Sequence, residues 1–252
     1  MASITVNYID HMGHDVRVAD IARQSFAKQN IRLQDEMNDR DMSLIKMLGS
    51  GYTSDERLAL VEAMLNISTN AEAIALINSI RGKATHWTPF AHCMIQTQCK
   101  APIPVRTQAF KSKIGFVENE ESRRYIASTP ELFTPDEFRS TPDGNIKQGS
   151  GGKHKDSAYF KKQYRHICNI AIKNYETMIE SGIAPEQARF ILPQGVMVNW
   201  TWTGSLAAYA RFHLLRSDSH SQREIQDFAG QHADIASELF PVSFKALTEF
   251  SL

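Results

Sequence analysis

The densest cluster of charged and hydrogen-bonding side chains in the sequence lies between residues 111 and 125. It begins with Lys111-Ser112-Lys113 and continues with Asn119-Glu120-Glu121-Ser122-Arg123-Arg124-Tyr125. Four cationic side chains lie here with the adjacent carboxylates of Glu120 and Glu121, an amide and three hydroxyls. This combination can bind a phosphate-bearing ligand, because cationic donors and hydroxyls match phosphate oxygens. An exposed charged turn is the alternative interpretation.

Two further arginines lie next to apolar residues. Arg189 precedes Phe190-Ile191-Leu192, and Arg216 follows Leu215 in a segment that runs to Gln222. An arginine held near a core normally needs an anionic partner. Its planar set of donors suits a phosphate or the edge of a pyrimidine. We therefore expect both arginines in the same kind of site as the cluster.

Other residues that often bear chemistry give weaker signals. His86 and His92 flank Trp-Thr-Pro-Phe-Ala, and their spacing fits no zinc motif. They are interpreted as structural histidines or as neighbours of a planar ligand, and no metal site is predicted. The glycine-rich stretch 141–155 lacks the spacing of a phosphate-binding loop and is predicted to be a flexible surface loop. No G-x-G-x-x-G segment supports a Rossmann dinucleotide site.

The three cysteines do not indicate a disulfide framework. Cys93 and Cys99 lie on one strand-like segment with alternating polarity, and Cys168 is far along the chain. Six strand residues separate the first two sulfurs by roughly 20 Å, which is too far for a bridge. The simpler interpretation is that they are small residues on a buried face, and reactive thiols are the alternative.

The elements that must position these residues alternate between strands and helices. Two capping boxes, Thr53 to Glu56 and Thr69 to Glu72, predict a helical hairpin over residues 50–82. Apolar periodicity and helix-ending glycines or prolines define the other elements. Predicted strands cover residues 4–9, 93–100 and 196–202, and predicted helices include 41–48, 164–182, 185–192, a stretch ending near 216 and one beginning near 221. Because no linker or repeat interrupts this order, we expect a single α+β domain over residues 1–252.

Composition excludes several classes of protein. The chain has 252 residues with 28 Lys and Arg against 28 Asp and Glu, so no global field draws it to nucleic acid or to an anionic membrane. No apolar run approaches the roughly 18 residues that a membrane-spanning helix requires. A cytoplasmic location is expected, with neither nucleic acid nor membrane as a partner.

The sequence resembles the flavin-dependent thymidylate synthases (ThyX). Residues 119–125 match the second half of the family signature Arg-His-Arg-x-x-Ser-x-Asn-Glu-x-Ser-x-Arg-Tyr. Residues 86–92 resemble its His-x-Thr-Pro-Phe-x-His segment. Further similar segments are 9–15, 22–26, 100–108, 188–193 and 215–225. The resemblance implies a fold with an antiparallel-rich sheet and flanking helices.

The chain departs from the family pattern in five respects. Lys111-Ser112-Lys113 replaces Arg-His-Arg, the signature serine is missing, and one extra residue precedes Asn119. The predicted hairpin 50–82 resembles an insertion. Residues 203–208 replace a segment that in other members offers Asn and Arg to the flavin.

The resemblance implies reductive methylation of dUMP to dTMP, with FAD as cofactor and methylenetetrahydrofolate and NADPH as co-substrates. The family is homotetrameric, and several chains contribute to each site. Arg216 resembles the arginine that stabilises negative charge on the uracil ring, which an always-protonated side chain can do. The implied dUMP contacts are Gln108, Lys111, Glu120, Ser122, Arg123, Arg124, Arg189 and Arg216. The implied FAD contacts are Thr88, Lys111, Ser112, Lys113, Asn119, Glu120, Ser205 and Arg211.

Two other functions stay open at this point. A dUMP-binding enzyme on the same scaffold that no longer uses flavin is compatible with the missing Arg-His-Arg. A non-catalytic binding or assembly protein would have the same fold without NADPH oxidation.

Overall fold

The α+β prediction is confirmed by the computed structural model, which describes residues 2–26, 32, 36–82, 85–142, 144 and 149–249. The strands within these ranges are β1 (Thr5–Met12), β2 (Met94–Pro102), β3 (Phe116–Glu120) and β4 (Met197–Ser205). The α-helices are α1 (Asp15–Gln24), α2 (Asp39–Ser50), α3 (Ser54–Leu65), α4 (Asn70–Gly82), α5 (Ile103–Phe110), α6 (Ser157–Glu180), α7 (Pro185–Ala188), α8 (Leu206–Arg216), α9 (Arg223–Leu239) and α10 (Pro241–Thr248). Short 3-10 helices cover Thr88–His92 and Arg189–Ile191.

The four strands form one antiparallel sheet in the order β1-β2-β4-β3. Strand β2 buries alternate residues, including Ile95, Thr97 and Cys99, because successive side chains of a strand point to opposite faces. The buried cysteines confirm the structural interpretation, since Cys99 of β2 and Cys93, the residue just before β2, are both 0% exposed. All three cysteines are free thiols.

The chain divides into two compact units. The first comprises residues 1–9, 96–203 and 212–232, and the second comprises 10–95, 204–211 and 233–252. The single-domain organisation expected from the sequence stays a prediction. No helix in the described part of the chain has the length and hydropathy to cross a bilayer.

Aromatic packing forms the core of the first unit. Trp202 of β4 stacks on Phe116 of β3 with ring centroids 4.0 Å apart, and Phe212 of α8 meets Trp202 edge-on at 5.1 Å. Phe110, the last residue of α5, packs edge-on against Trp200 at 5.8 Å. Aromatic pairs of this geometry contribute beyond their buried area. They fix the end of α5 and the start of β3, between which Lys111-Ser112-Lys113 lies.

A histidine completes this core. His232 of α9 is 2% exposed, and its Nδ1 lies 3.0 Å from the Phe228 carbonyl oxygen. Since a carbonyl oxygen only accepts, Nδ1 carries the proton and Nε2 is an acceptor. Burial lowers the pKa of His232 to about 4, despite the hydrogen bond to Phe228. The ring is therefore neutral at physiological pH and belongs to the core.

Charged residues hold the helices of the second unit together. Arg32 donates to Asp20 of α1 and to Asp41 of α2, with Nη2 2.6 Å from Asp20 Oδ1 and Nη1 2.8 Å from Asp41 Oδ2. Arg23 adds a contact of 2.5 Å to Asp41 Oδ1. The Asp41 side chain is fully buried. These arginines supply the positive charge and hydrogen bonds that offset the cost of burying a carboxylate.

The predicted hairpin is confirmed as α3 and α4. Both capping boxes form, since the Glu56 carboxylate accepts from the Thr53 N–H at 2.8 Å and the Glu72 carboxylate accepts from the Thr69 N–H at 3.1 Å. At the base of the hairpin the His86 N–H donates to the Leu48 carbonyl oxygen at 2.9 Å. The chain therefore leaves the end of α2 and returns to it at neighbouring points, and the interpretation of the hairpin as an insertion stays a prediction.

Several boundaries differ from those expected. Helix α2 runs past Gly49 to Ser50. Gly51 caps it with a φ of 77°, the left-handed conformation that glycine favours. Gly49 instead allows the backbone of α10 to approach α2 closely, because a Cβ at this position would lie 2.3 Å from the Ala246 carbonyl oxygen. Helix α10 was not predicted. The described residues of the loop 141–155 form no helix or strand, and residues 143 and 145–148 lie outside the described ranges.

Candidate functional site

Helix α5 and strand β3 position the Lys111-Ser112-Lys113 turn. The helix ends in a tight turn, in which the Ser112 N–H donates to the Ala109 carbonyl oxygen at 2.9 Å. Lys111 and Lys113 are exposed, and Lys113 Nζ lies 2.6 Å from Glu118 Oε1. Ser112 is turned inward and is 4% exposed. The turn therefore presents two cations outward and one hydroxyl inward.

The inward hydroxyl meets Arg216 at the end of α8. Ser112 Oγ accepts from Arg216 Nε at 3.2 Å and from Nη2 at 2.8 Å. Burial lowers the pKa of Arg216, although arginine stays protonated at any physiological pH. In the part of the chain that the structure describes, no carboxylate lies within ion-pair distance of this guanidinium. Its positive charge is available to a ligand.

Arg216 lines a cavity of about 600 Å³ in the first unit. Gln108 of α5 and Gln222 line the same cavity, and Gln108 Nε2 donates to Gln222 Oε1 at 2.5 Å. The full lining is Gln108, Pro135, Glu137, Phe138, Arg139, Gly149, Ser150, Arg216, His220, Ser221, Gln222 and Glu224. A cavity of this size with convergent polar groups is typical of a small-molecule site.

An ion pair that the sequence did not reveal forms another part of the wall. Arg139 Nη2 donates to both carboxylate oxygens of Glu224 at 2.8 Å, and its Nε donates to Ser150 Oγ at 2.6 Å. Burial, the largest single influence, favours the neutral acid, but the hydrogen bonds and charge of Arg139 together with hydrogen bonds from the Glu224 backbone and Gln222 lower the pKa of Glu224. The structure thus directs the Glu224 carboxylate to Arg139. No local motif marks Arg139, because its partner is 85 positions away.

A second group of site residues surrounds the end of β3. Glu120 Oε2 lies 3.0 Å from Nε of Arg106, a residue that the sequence analysis missed. Burial raises the pKa of Glu120, and the Arg106 guanidinium only partly offsets this. Arg106 stands one helical turn before Phe110 and lies over its ring at 5.4 Å. The feature of the sequence that could have indicated Arg106 is its positive charge on the helix just before the 111–125 cluster.

The two arginines of residues 119–125 differ in environment. The Arg123 side chain is 12% exposed and donates to the Ser128 carbonyl oxygen, while its buried Nε has no hydrogen-bond partner among the described residues. Arg124 is exposed, and its Nε lies 3.6 Å from Glu186 Oε2. Arg189 Nε donates to the Glu186 carbonyl oxygen at 3.2 Å. Glu186 therefore links Arg124 with the segment that carries Arg189.

The structure brings the expected residues together in groups. Gln108 and Arg216 line the cavity, Ser112 contacts Arg216, and Arg124 and Arg189 meet at Glu186. Ser122, whose Oγ accepts from the Arg124 N–H at 3.3 Å, belongs with the latter group. The expected residues of the first unit outside these two groups are Lys111, Lys113, Asn119, Glu120 and Arg123, of which the first three are exposed.

Three of the residues expected to contact the flavin lie in the second unit. Thr88 is exposed at the start of its 3-10 helix, and Arg211 is exposed on α8. Ser205 is 8% exposed, and its Oγ accepts from the Ala208 N–H at 3.2 Å, which helps to begin α8. Among the described residues, no group of His, Cys, Asp and Glu side chains could hold a metal ion.

Comparison with known proteins assigns the chain to a family. The family described as "Thymidylate synthase complementing protein" matches residues 7–242. The chain belongs to this family, which confirms the resemblance seen in the sequence.

Individual relatives carry a more specific name. The flavin-dependent thymidylate synthase of Thermosipho africanus is 32% identical over 215 residues, covering 83% of this chain and 91% of the relative. The flavin-dependent thymidylate synthase of Thermotoga neapolitana is 28% identical over 251 residues, covering 98% of this chain and 91% of the relative.

A solved structure has the same fold over nearly the whole chain. The UMP/dUMP methylase PolB from Streptomyces cacaoi, bound with 5-bromo-dUMP, superposes with a TM-score of 0.74 at 25% identity and covers 99% of this chain and 96% of its own. The structure of the same methylase bound with 5-bromo-UMP also superposes with a TM-score of 0.74, at 23% identity.

Proposed function

We propose that this protein is a flavin-dependent thymidylate synthase that methylates dUMP to dTMP with methylenetetrahydrofolate, FAD and NADPH. The observation that carries the proposal is the Arg216 guanidinium, which lines a cavity and is held by a neutral hydroxyl rather than by a carboxylate. Such an arginine suits an anionic or electron-rich ligand. The family relatives and a nucleotide-bound methylase of the same fold support uracil nucleotides as that ligand.

Arg216 would act on the uracil ring by electrostatics. Uracil C5 becomes nucleophilic when negative charge on the ring is stabilised, and a fixed guanidinium at the ring edge provides that stabilisation. The cysteines do not offer the alternative of thiolate attack, since burial raises the pKa of Cys93 to about 11 and that of Cys99 to about 12. The Gln108 and Gln222 amides would present donors and acceptors to the polar edge of the base.

The residues near Glu186 would bind the nucleotide phosphate. Ser122, Arg123, Arg124 and Arg189 supply hydroxyl and guanidinium donors, which are the groups that phosphate favours. The buried Nε of Arg123 supports this assignment, because a buried donor without a partner is costly unless a ligand satisfies it. Lys111 and Glu120 complete the proposed dUMP contacts.

We propose FAD contacts in both units, each taken by itself. In the first unit Lys111 and Lys113 are exposed cations suited to a pyrophosphate, and in the second unit Arg211 is an exposed cation and Thr88 adds an exposed hydroxyl. When bound, FAD would supply hydride transfer from NADPH to the transferred carbon. Asn119, Glu120, Ser112 and Ser205 complete the proposed contacts. Because the Ser112 and Ser205 oxygens already accept hydrogen bonds from Arg216 and from the Ala208 N–H, each would offer FAD only its hydroxyl proton. Because lysine lacks the bidentate geometry of arginine, Lys111 and Lys113 would hold the phosphates as point charges.

We further propose a homotetramer in which different chains contribute to one site. The two groups of nucleotide-binding residues, one around Arg216 and one around Glu186, would then meet across a subunit boundary. A cytoplasmic location remains the prediction made from the sequence.

The experiment that tests the proposed function combines a flavin spectrum with an assay of dTMP formation. The purified protein should show flavin absorption that changes on titration with dUMP, and it should form dTMP. Arg216→Lys keeps the charge and loses the planar donor set, so we expect turnover to fall about 100-fold or more. Arg223→Lys is the matched control, because this arginine is 70% exposed and pairs with Asp227 on α9.

The outcome also decides between the proposed function and its main rival. A protein that binds dUMP but retains no flavin would be the flavin-free enzyme or binding protein. The observation that favours this rival is that Glu118 already engages Lys113. Normal dTMP formation by Arg216→Lys would contradict the role given to Arg216.

A further inference from the structure

We propose that Ser112 is a positioning residue that fixes the orientation of the Arg216 guanidinium toward the cavity. This inference rests on the proposed function, in which Arg216 stabilises charge on the substrate ring. It gives a role to the central residue of the Lys111-Ser112-Lys113 segment, where the sequence departs from the family signature.

The geometry selects one edge of the guanidinium. Nε and Nη2 of Arg216 both donate to Ser112 Oγ, at 3.2 Å and 2.8 Å. Two bonds from one edge to a single oxygen define both the position and the plane of the group. Of the five guanidinium N–H donors, the two on Nη1 and one on Nη2 stay available to a ligand.

Ser112 is itself held rigidly. It is 4% exposed, and its N–H donates to the Ala109 carbonyl oxygen at the end of α5. The neighbouring Phe110 packs edge-on against the buried Trp200. The hydroxyl is therefore a fixed anchor for the long and flexible arginine side chain, which otherwise samples many rotamers.

The chemistry of the anchor matters as much as its position. A carboxylate here would also orient the guanidinium, but it would neutralise the positive charge that a developing anion needs. A hydroxyl oxygen accepts the two hydrogen bonds without carrying charge. Ser112 therefore orients Arg216 and leaves its full charge for the substrate, which is the preorganisation on which electrostatic catalysis depends.

The first test is Ser112→Ala. We expect kcat to fall about 10- to 100-fold, the usual scale for one hydrogen bond to a charged group, with less than about a threefold change in the KM for dUMP. Ser112→Thr retains the hydroxyl and should recover most of the loss. Ser243→Ala in α10 is the matched control, because it removes another fully buried serine hydroxyl, in the second unit. Wild-type kcat in Ser112→Ala would overturn the proposal.

A double-mutant cycle separates positioning from a general structural effect. If Ser112 acts through the guanidinium, Ser112→Ala in an Arg216→Lys background should cost less than about twofold in kcat. A structural role would instead reduce kcat by the same factor in both backgrounds, and that result would contradict the inference.

A readout independent of turnover distinguishes this inference from the proposed function. The Nε–H NMR signal of Arg216, assigned by its loss in Arg216→Lys, should exchange with water at least about tenfold faster in Ser112→Ala than in the wild type. Unchanged exchange would refute positioning by Ser112. Absence of dTMP formation by the wild type would refute the proposed function, and the exchange rate would still decide the role of Ser112.

Discussion

The arginines of the site carry the same charge in different surroundings, and the surroundings indicate different roles. Arg216 is half-buried and donates to the neutral hydroxyl of Ser112. Arg124 is exposed and forms an ion pair with the carboxylate of Glu186. The first environment favours a fixed charge beside a reacting ring. The second favours a mobile donor that can exchange Glu186 for a phosphate when the nucleotide binds.

Arg124→Ala should therefore weaken dUMP binding without affecting chemistry. We expect a loss of about 1.5 to 3 kcal/mol in binding free energy, the usual scale for a hydrogen bond to a charged group. NADPH oxidation in the absence of dUMP should change little. Calorimetric titration with dUMP measures the effect.

Uridine and a second variant provide the controls for Arg124. Because uridine lacks the phosphate, it should bind wild type and Arg124→Ala equally weakly. Glu186→Gln removes the competing carboxylate and should leave dUMP affinity intact or raise it. If Arg124→Ala binds dUMP as tightly as the wild type, the assignment of Arg124 to the phosphate is wrong.

The cysteines should be dispensable for turnover. Burial raises the pKa of Cys93 to about 11 and that of Cys99 to about 12, and it also raises the pKa of Cys168. A thiol in this state has almost no thiolate at neutral pH. Each Cys→Ala variant should retain dTMP formation and lose about 1 to 2 kcal/mol of stability on thermal unfolding. A folded cysteine variant without activity would indicate covalent catalysis instead.

Helices α1 and α2 depend on buried charge rather than on apolar contact alone. Arg32 bridges Asp20 of α1 and Asp41 of α2, and Arg23 reinforces the contact with Asp41. Hydrogen bonds from Arg32 are the largest cause that keeps the pKa of Asp41 well below its usual range. Both helices belong to the second unit, which carries Thr88 and Arg211 of the proposed flavin site.

Asp41→Asn should destabilise the protein by about 3 kcal/mol or more at pH 7, because two arginines lose a buried partner. Since the folded-state pKa is lowered, the ion pair contributes fully above the unfolded value of about 4 and is lost as the pH falls below it. The difference between wild type and variant should therefore shrink in acid. Urea unfolding at pH 7 and at decreasing pH measures it.

Asp39→Asn provides the control on the same helix. Asp39 is exposed in the first turn of α2, where a carboxylate contributes only about 0.3 to 1 kcal/mol through the helix dipole. A loss as small for Asp41→Asn as for Asp39→Asn would show that the buried ion pairs do not stabilise the contact between α1 and α2.

The proposed assembly makes a prediction for the whole molecule. If the residues around Arg216 come from one chain and those around Glu186 from another, two different defective chains can complement each other. Mixed oligomers of Arg216→Lys and Arg124→Ala chains should regain about a quarter of the wild-type activity at low dUMP, because random mixing leaves that share of sites intact.

Co-expression of the two variants with different affinity tags isolates the mixed oligomers. Each variant purified alone gives the baseline for the assay. Activity no higher than the average of the two baselines would show that both groups act within one chain.

The sequence by itself determined the local features of this protein. The capping boxes at Thr53 and Thr69, the alternating burial of β2 and the 119–125 signature all depend on residues within a few positions of each other. Local hydrogen bonding and the two-residue period of a strand decide such features. For this reason the amino-acid pattern alone predicts the α+β class and the helical hairpin, while the resemblance of several segments to known sequences indicates the family.

Only the tertiary structure decided which side chains meet. Ser112 and Arg216 are 104 positions apart, and Arg139 and Glu224 are 85 apart. A local turn at the end of α5 holds Ser112, but only the packing of Phe110 against Trp200 and the long-range contact with Arg216 show what its hydroxyl meets. A buried charge needs a partner, but the residues next to it in the sequence do not specify which one. Only the folded chain therefore shows that Arg216 donates to a neutral hydroxyl and that Arg139 forms an ion pair with Glu224.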